Sequence, residues 1–253
     1  MDLALTGKRA LVTGATSGLG AEIARTLAAE GVAVAIGGRD RRRADAVAQS
    51  IRETGSTAVL ALGDLTDDAA ADAALSAAID RLGGIDILVN ALGHSPAIGR
   101  DTAPVASNAW AADYSALVLP GVRMIHRATP AMRESRWGRI IQIASADAMT
   151  PAAVPHSYSS AKAAIVNMSL GLAKALSGTG ITVNTLSPGL IRTPAYAHED
   201  EAALIERHAR QPVAGLGSLQ GVAAMAAWLA SPLADHVTGA NIRIDGGFSP
   251  AVN

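Results

Sequence analysis

The chain has no cysteine. Disulfides, thiolate nucleophiles and cysteine-ligated metals are therefore excluded. Aromatic side chains are scarce: one Phe, three Trp and three Tyr among 253 residues. A core must then be built from Ala, Val, Leu and Ile, the material of parallel sheets covered by helices on both faces. A surplus of charge is missing too, the formal net charge being −1. That argues against non-specific nucleic-acid binding, which needs cations to neutralise phosphates. No apolar run approaches bilayer length without glycine or charge. The apolar start is interrupted by Asp2, Lys8 and Arg9, so no signal peptide is expected. The expectation is a soluble, cytoplasmic protein with no membrane or nucleic-acid partner.

What is present is a regular alternation of short aliphatic runs and helical patterns. The runs 10–12, 32–36 (VAVAI), 57–62, 85–89 (IDILV), 139–144, 181–186 and 241–244 (NIRI) read as strands. Helical patterns intervene at 40–53, 67–82, 107–132 with Pro120 inside, 158–176, 199–210 and 222–230. Strand–helix alternation along the whole length means βαβ units. The expected architecture is α/β: a single doubly wound (Rossmann) domain over residues 1–253, with a seven-stranded parallel sheet flanked by helices. Ligands on such sheets bind outside the carboxyl ends of the strands.

The first strand runs into a glycine turn, within Arg9–Arg25 (RALVTGATSGLGAEIAR). Gly14, Gly18 and Gly20 let the backbone take positive φ and approach a bulky anion closely. The helix that follows offers unpaired N–H groups and the positive end of its dipole, a natural seat for a pyrophosphate. Thr13, Thr16 and Ser17 add hydroxyl donors, with Leu19 between the last two glycines. After the second strand there is no carboxylate before Asp40, but there is Arg39. An acidic residue here would bind a ribose 2′-hydroxyl, whereas an Arg accommodates a 2′-phosphate. NADP(H) is thereby favoured over NAD(H). Asp64, with Leu65 beside it, follows the third strand and can either accept from an adenine amino group or cap a helix.

Tyr158 and Lys162 lie four apart on a helical pattern and so share a face. An ammonium beside a phenol stabilises the phenolate and lowers its pKa from about 10. Such a Tyr can exchange a proton with a substrate oxygen near neutral pH. Ser145, at the end of the fifth strand, can hydrogen-bond the same oxygen. Clustered His, Asp and Glu residues between 198 and 210 lack metal-ligand spacing such as HExxH, so no metal is expected.

These motifs resemble the short-chain dehydrogenase/reductase family over essentially the whole chain. Residues 13–20 match its TGxxxGxG, and Tyr158 and Lys162 match YxxxK. Ser145 falls at its catalytic serine. Residues 187–193 (SPGLIRT) match its SPGxIxT, and 244–247 (IDGG) match its closing motif. The resemblance, strongest to 3-oxoacyl-thioester reductase-like members, implies hydride transfer between a nicotinamide and a ketone or secondary-alcohol carbon of a small molecule. Tyr158 would be the general acid/base, Ser145 would polarise the substrate oxygen, and Lys162 would hold the nicotinamide ribose and tune the Tyr. The implied cofactor contacts include Asn90, Ala91 and Gly93, which stand where the family has NNAG, and Pro188, Gly189, Ile191 and Thr193. It also implies a homodimer or homotetramer, built by self-pairing of helices 107–132 and 158–176.

One departure stands out. The family carries an Asn in the long helix, three residues before a Gly; counting back from Gly121 gives Val118. Pro120, lacking an N–H for the carbonyl of Ala116, is expected to kink the helix and free carbonyls for a water. Val118 also keeps open a non-redox reading, a dinucleotide-sensing regulator or a lyase. His94, Asp147, Met149 and His156 are candidates for the substrate pocket, and Tyr196 for a lid at about 190–211. An acidic carrier protein would need basic residues near the cleft; Arg123, Arg127 and Arg133 are the candidates.

Overall fold

The structure is a computed structural model that describes residues 1–93, 106–151, 157–194, 199–207, 212–213 and 215–249. The strands β1 (Arg9–Thr13), β2 (Ala33–Gly38), β3 (Ala58–Leu62), β4 (Ile87–Asn90), β5 (Gly138–Ile143), β6 (Ile181–Pro188) and β7 (Asn241–Ile244) form one sheet in the order β3-β2-β1-β4-β5-β6-β7. Every pairing is parallel. Successive residues of β1 face opposite cores. Ala10 and Val12 pack with helices α1 (Gly18–Ala29), α2 (Arg41–Arg52) and α8 (Leu219–Ala230). Leu11 packs with α3 (Asp68–Leu82), α5 (Leu119–Ser135) and α6 (Ser157–Ala175). This two-sided burial is why the strands read as unbroken aliphatic runs. The remaining helices are α4 (Ser107–Leu117) and α7 (Glu201–Arg207). Among the described residues no helix is long and apolar enough to cross a membrane.

Caps set the helix starts. Asp40 accepts from the Arg43 N–H at 3.0 Å and Asp67 from the Ala70 N–H at 2.8 Å, bonds worth about 1 kcal/mol each. Gly83 ends α3 in the left-handed region at φ 77°. Two expectations need correction. Ser107, which the sequence offers as a cap for the long helix, is instead its first helical residue, and Ala106 holds the cap position without a side-chain bond. Nor is that helix continuous: α4 ends at Leu117 and α5 restarts at Leu119, with Val118 between them at φ −98°, ψ −55°. The cause is Pro120, seated in the first turn of α5, where its missing N–H costs nothing.

Strand order reverses between β1 and β4, both of which leave that point at their carboxyl ends. A crevice outside those ends follows from the topology.

Candidate active site

The crevice is a cleft of about 460 Å³ running from Arg39 to Tyr158. Its floor is the glycine turn. Gly14 has φ +68°, and a Cβ there would meet the Ala91 carbonyl oxygen at 2.6 Å. A Cβ on Gly20 would lie 2.3 Å from the Gly14 oxygen. Backbone therefore crosses backbone at a distance only glycine permits. Ser17, the residue before α1, is extended and its side chain makes no cap bond, which leaves the first-turn N–H groups to a ligand. This cradle fits a dinucleotide: the tight backbone crossing at Gly14 and Gly20 leaves the start of α1 open to an anion. Thr16, Ser17, Gly18 and Leu19 line it as well.

At one end Arg39 reaches across to Asp64, Nη1 to Oδ2 at 3.6 Å, with both side chains exposed. Asp64 also accepts from the Thr66 N–H at 3.0 Å and the Thr66 hydroxyl at 2.8 Å. Those bonds, more than Arg39, hold its carboxyl below the usual range. Asp64 thus belongs to the turn that leads to α3, while Asp67 caps the helix. Leu65 lines the cleft beside it.

At the other end stand Ser145, Tyr158 and Lys162, all lining the cleft. Ser145 ends the run out of β5 and opens a short 3₁₀ turn. Its hydroxyl oxygen accepts from the Asp147 N–H at 3.2 Å, so its proton remains available to a substrate oxygen. Lys162, 1% exposed, lies with Nζ 5.7 Å from the centre of the Tyr158 ring. The ammonium donates to the main-chain oxygens of Ile143 (2.9 Å) and Leu92 (3.1 Å). An ammonium has three protons, and these carbonyls take two. Burial pushes the Lys162 pKa down to about 8.

The carboxyl end of β6 and the loop after it form another wall of the cleft. Pro188, Gly189, Ile191 and Thr193 line the cleft. A Cβ on Gly189 would meet the Asp245 Cα at 2.7 Å, and the Gly189 N–H donates to the Ile244 oxygen at 2.9 Å. Asp245 in turn accepts from the N–H groups of Gly247 and Ser249, each at 3.0 Å. The closing IDGG stretch is therefore a buttress for the Pro188–Gly189 corner.

Asn90 and Asp147, two of the expected residues, fall outside the lining of the cleft. Ala91 and Gly93 line the cleft but Asn90 does not. It is 5% exposed, its Oδ1 accepting from the Thr13 hydroxyl at 3.2 Å, so it ties β1 to β4 beneath the glycine turn. Asp147 sits on the 3₁₀ turn and is not a lining residue. His94, His156 and Tyr196 lie outside the described residues. Arg123 and Arg127 do not form a free basic patch: Arg123 pairs with Asp68 at 2.7 Å, and Arg127 pairs with Asp68 and Asp72. Both arginine side chains are only 18% exposed. Val118 is buried with Leu117, Ala144, Ala161 and Ile165, and Ala116, Leu117 and Pro120 of the broken helix form part of the cleft wall.

Sequence reading missed Gly38, where a Cβ would lie 2.3 Å from the Thr16 methyl carbon. The doubled glycine ending β2 was the available signal. The carbonyls of Leu92 and Ile143 carry no side-chain signal at all.

The family described as enoyl-(acyl carrier protein) reductase matches residues 14–249. A 2,5-dichloro-2,5-cyclohexadiene-1,4-diol dehydrogenase of Sphingobium indicum is 35% identical over 250 residues, covering 98% of each chain. The 3-oxoacyl-[acyl-carrier-protein] reductase of Vibrio harveyi is 32% identical over 96% of this chain and 98% of its own. The crystal structure of L-sorbose reductase from Gluconobacter frateurii, complexed with NADPH and L-sorbose, superposes over all of both chains with a TM-score of 0.91 at 28% identity. The order of the strands, the glycine cradle and these relatives agree, and the chain belongs to the short-chain dehydrogenase/reductase family of oxidoreductases acting on alcohol and ketone groups.

Proposed function

We propose that the protein is an NADP(H)-dependent oxidoreductase that interconverts a ketone and a secondary alcohol on a small molecule, with Tyr158 as general acid/base. The observation that carries this reading is the convergence of Ser145, Tyr158 and buried Lys162 on one end of a cleft whose floor admits only glycine. When bound, the nicotinamide supplies or accepts the hydride. In the reductive direction Tyr158 donates its proton to the oxygen of the carbonyl carbon that gains the hydride. Ser145 donates a hydrogen bond to the same oxygen. The charged Lys162 favours the phenolate that remains and holds a ribose hydroxyl with its third proton. The carbonyl of Ala116, without an N–H at Pro120, is available to a water that refills the proton.

The preference for NADP(H) rests on Arg39, a fork for the 2′-phosphate at the end of β2. The actinorhodin polyketide ketoreductase, solved with NADPH, shares the fold at a TM-score of 0.88 and 32% identity, which accords with that choice. The pairing of Arg123 and Arg127 favours a free small substrate over one presented by an acidic carrier. A lid role is proposed for the stretch at about 190–211, in which Arg192 pairs with Glu201 at 2.8 Å. Exposed Tyr114, Val122 and Leu170 supply apolar surface for pairing with a second copy. The test is loss of NADPH absorbance with a panel of ketones. Turnover is expected for the native enzyme and is reduced at least a hundredfold in Tyr158→Phe; unchanged turnover in that variant overturns the reading.

A further inference from the structure

The first turn of α6 carries Tyr158, and no intrahelical bond reaches the amide groups of that turn. Something outside the helix has to fix its direction. Two pairs of residues four apart divide the turn between them. Tyr158 and Lys162 face the cleft. Ser157 and Ala161, one position earlier, are 7% and 3% exposed, and α4 packs against α6. The opposing pair on α4 is Asp113 and Leu117, also four apart. Leu117 belongs to the apolar cluster of Ala161, Ile165 and the partly buried Tyr158. Asp113 accepts a hydrogen bond from the Ser157 hydroxyl. A carboxylate at this place also meets the positive end of the α6 dipole.

We infer that Asp113 is a positioning residue: through Ser157 it fixes the first turn of α6 and so the place of the Tyr158 phenol over the substrate carbonyl. This rests on the reading of Tyr158 as general acid/base. Leu117 sets the spacing of α4 and α6 by packing, and Asp113 sets the rotation of the first turn by a directional bond. The interaction joins residues 44 apart in sequence and involves neither cofactor nor substrate. Its loss is therefore expected in the chemical step, because a shift of the phenol by a fraction of an ångström lengthens the proton transfer while the glycine cradle stays intact.

The experiment compares Asp113→Ala, Asp113→Asn, Ser157→Ala and the Asp113→Ala/Ser157→Ala double variant with the native enzyme and Tyr158→Phe, on a ketone turned over with NADPH. Expected are a fall in kcat of about tenfold to a hundredfold in Asp113→Ala and Ser157→Ala, and a change of less than about twofold in KM for NADPH. The double variant is expected to be no worse than either single one. Asp113→Asn keeps an acceptor oxygen and should recover most of the rate, with an unmoved pH midpoint. Native kcat in Ser157→Ala overturns the inference, as do additive losses, equal changes in kcat and KM, or no recovery in Asp113→Asn. Ser157→Ala removes a single hydroxyl and decides the matter if Asp113→Ala does not fold. If Tyr158→Phe retains turnover, the acid/base reading itself has failed; if that variant is dead while Asp113→Ala and Ser157→Ala are unimpaired, only the positioning role has.

Discussion

The two ends of the cleft are built on opposite electrostatic principles. At the Tyr158 end Lys162 is 1% exposed and donates to main-chain oxygens. At the other end the Arg39 side chain is 76% exposed and meets an Asp64 side chain that is 46% exposed. Charge interactions grow as water is excluded and shrink to about 0–1 kcal/mol at the surface. On the proposed reading the chemistry falls to the dry end, where a charge is worth most. On the same reading cofactor choice falls to the wet end, where a single phosphate can still outbid a loose ion pair. Substitutions at the dry end should act on the chemical step and on pH dependence; those at the wet end should act on cofactor affinity alone.

The largest effect is expected at Lys162. Lys162→Met removes the charge that favours the phenolate, and turnover should fall by about a hundredfold or more in an NADPH oxidation assay. The native enzyme offers a second reading of the same group. With its pKa at about 8, Lys162 is charged below that value and neutral above it. Reductive kcat/KM, which reports the free enzyme, should therefore fall as pH rises through about 8. Folding stability moves the other way. The unfolded lysine holds its proton to about pH 10.4, so between about 8 and 10.4 the unfolded chain binds more protons than the folded one, and stability rises with pH. The rise should amount to about 3 kcal/mol relative to Lys162→Met, measured by urea denaturation. A flat difference between the two proteins would show that the dry end is not dry.

The cleft itself shows how much of this was visible beforehand. The glycine cradle, the Ser145–Tyr158–Lys162 set and the Pro188–Gly189 corner could be placed on one cleft because each rests on residue identity and short spacing. The parallel sheet could be read because two-sided burial leaves an aliphatic run in every strand. What escaped depends on partners far away in sequence. Arg123 appears as a free cation until the fold brings Asp68, 55 residues distant, to 2.7 Å. The tie between Asn90 and Thr13 is invisible until the register sets the two side by side. The need for glycine at 38 arises only when β1 and β2 align and the Thr16 methyl arrives. The break at Val118 was half visible: Pro120 announced a kink, but not that α5 would restart at Leu119.

At the wet end, Arg39→Ser should weaken NADPH binding by about tenfold to a hundredfold, the worth of hydrogen bonds to a charged phosphate, and leave NADH binding within about twofold. Fluorescence titration of the two reduced cofactors measures both. Equal losses for the two cofactors would move Arg39 from the 2′-phosphate to some feature they share, and the comparison of the two ends would lose its wet half.

The smallest effect distinguishes two roles for Asp64. If its carboxylate mainly aims the Arg39 guanidinium, removing it should weaken NADPH binding. If it mainly competes with the 2′-phosphate, removing it should strengthen binding. The geometry favours competition: the pair is long at 3.6 Å and exposed on both sides, so little aiming is available, whereas the Thr66 bonds hold the carboxylate in place whatever Arg39 does. Asp64→Asn should therefore tighten NADPH by up to about fivefold, the equivalent of about 1 kcal/mol, with NADH unchanged. Because those same Thr66 bonds keep the carboxyl ionised below the usual range, the difference between native and variant should stay constant across neutral pH. It should vanish only on acidification through that lowered pKa, where the native carboxyl takes up a proton. Weaker NADPH binding in Asp64→Asn would mean that the exposed pair does organise the site, and that exposure alone does not separate the cleft's two ends.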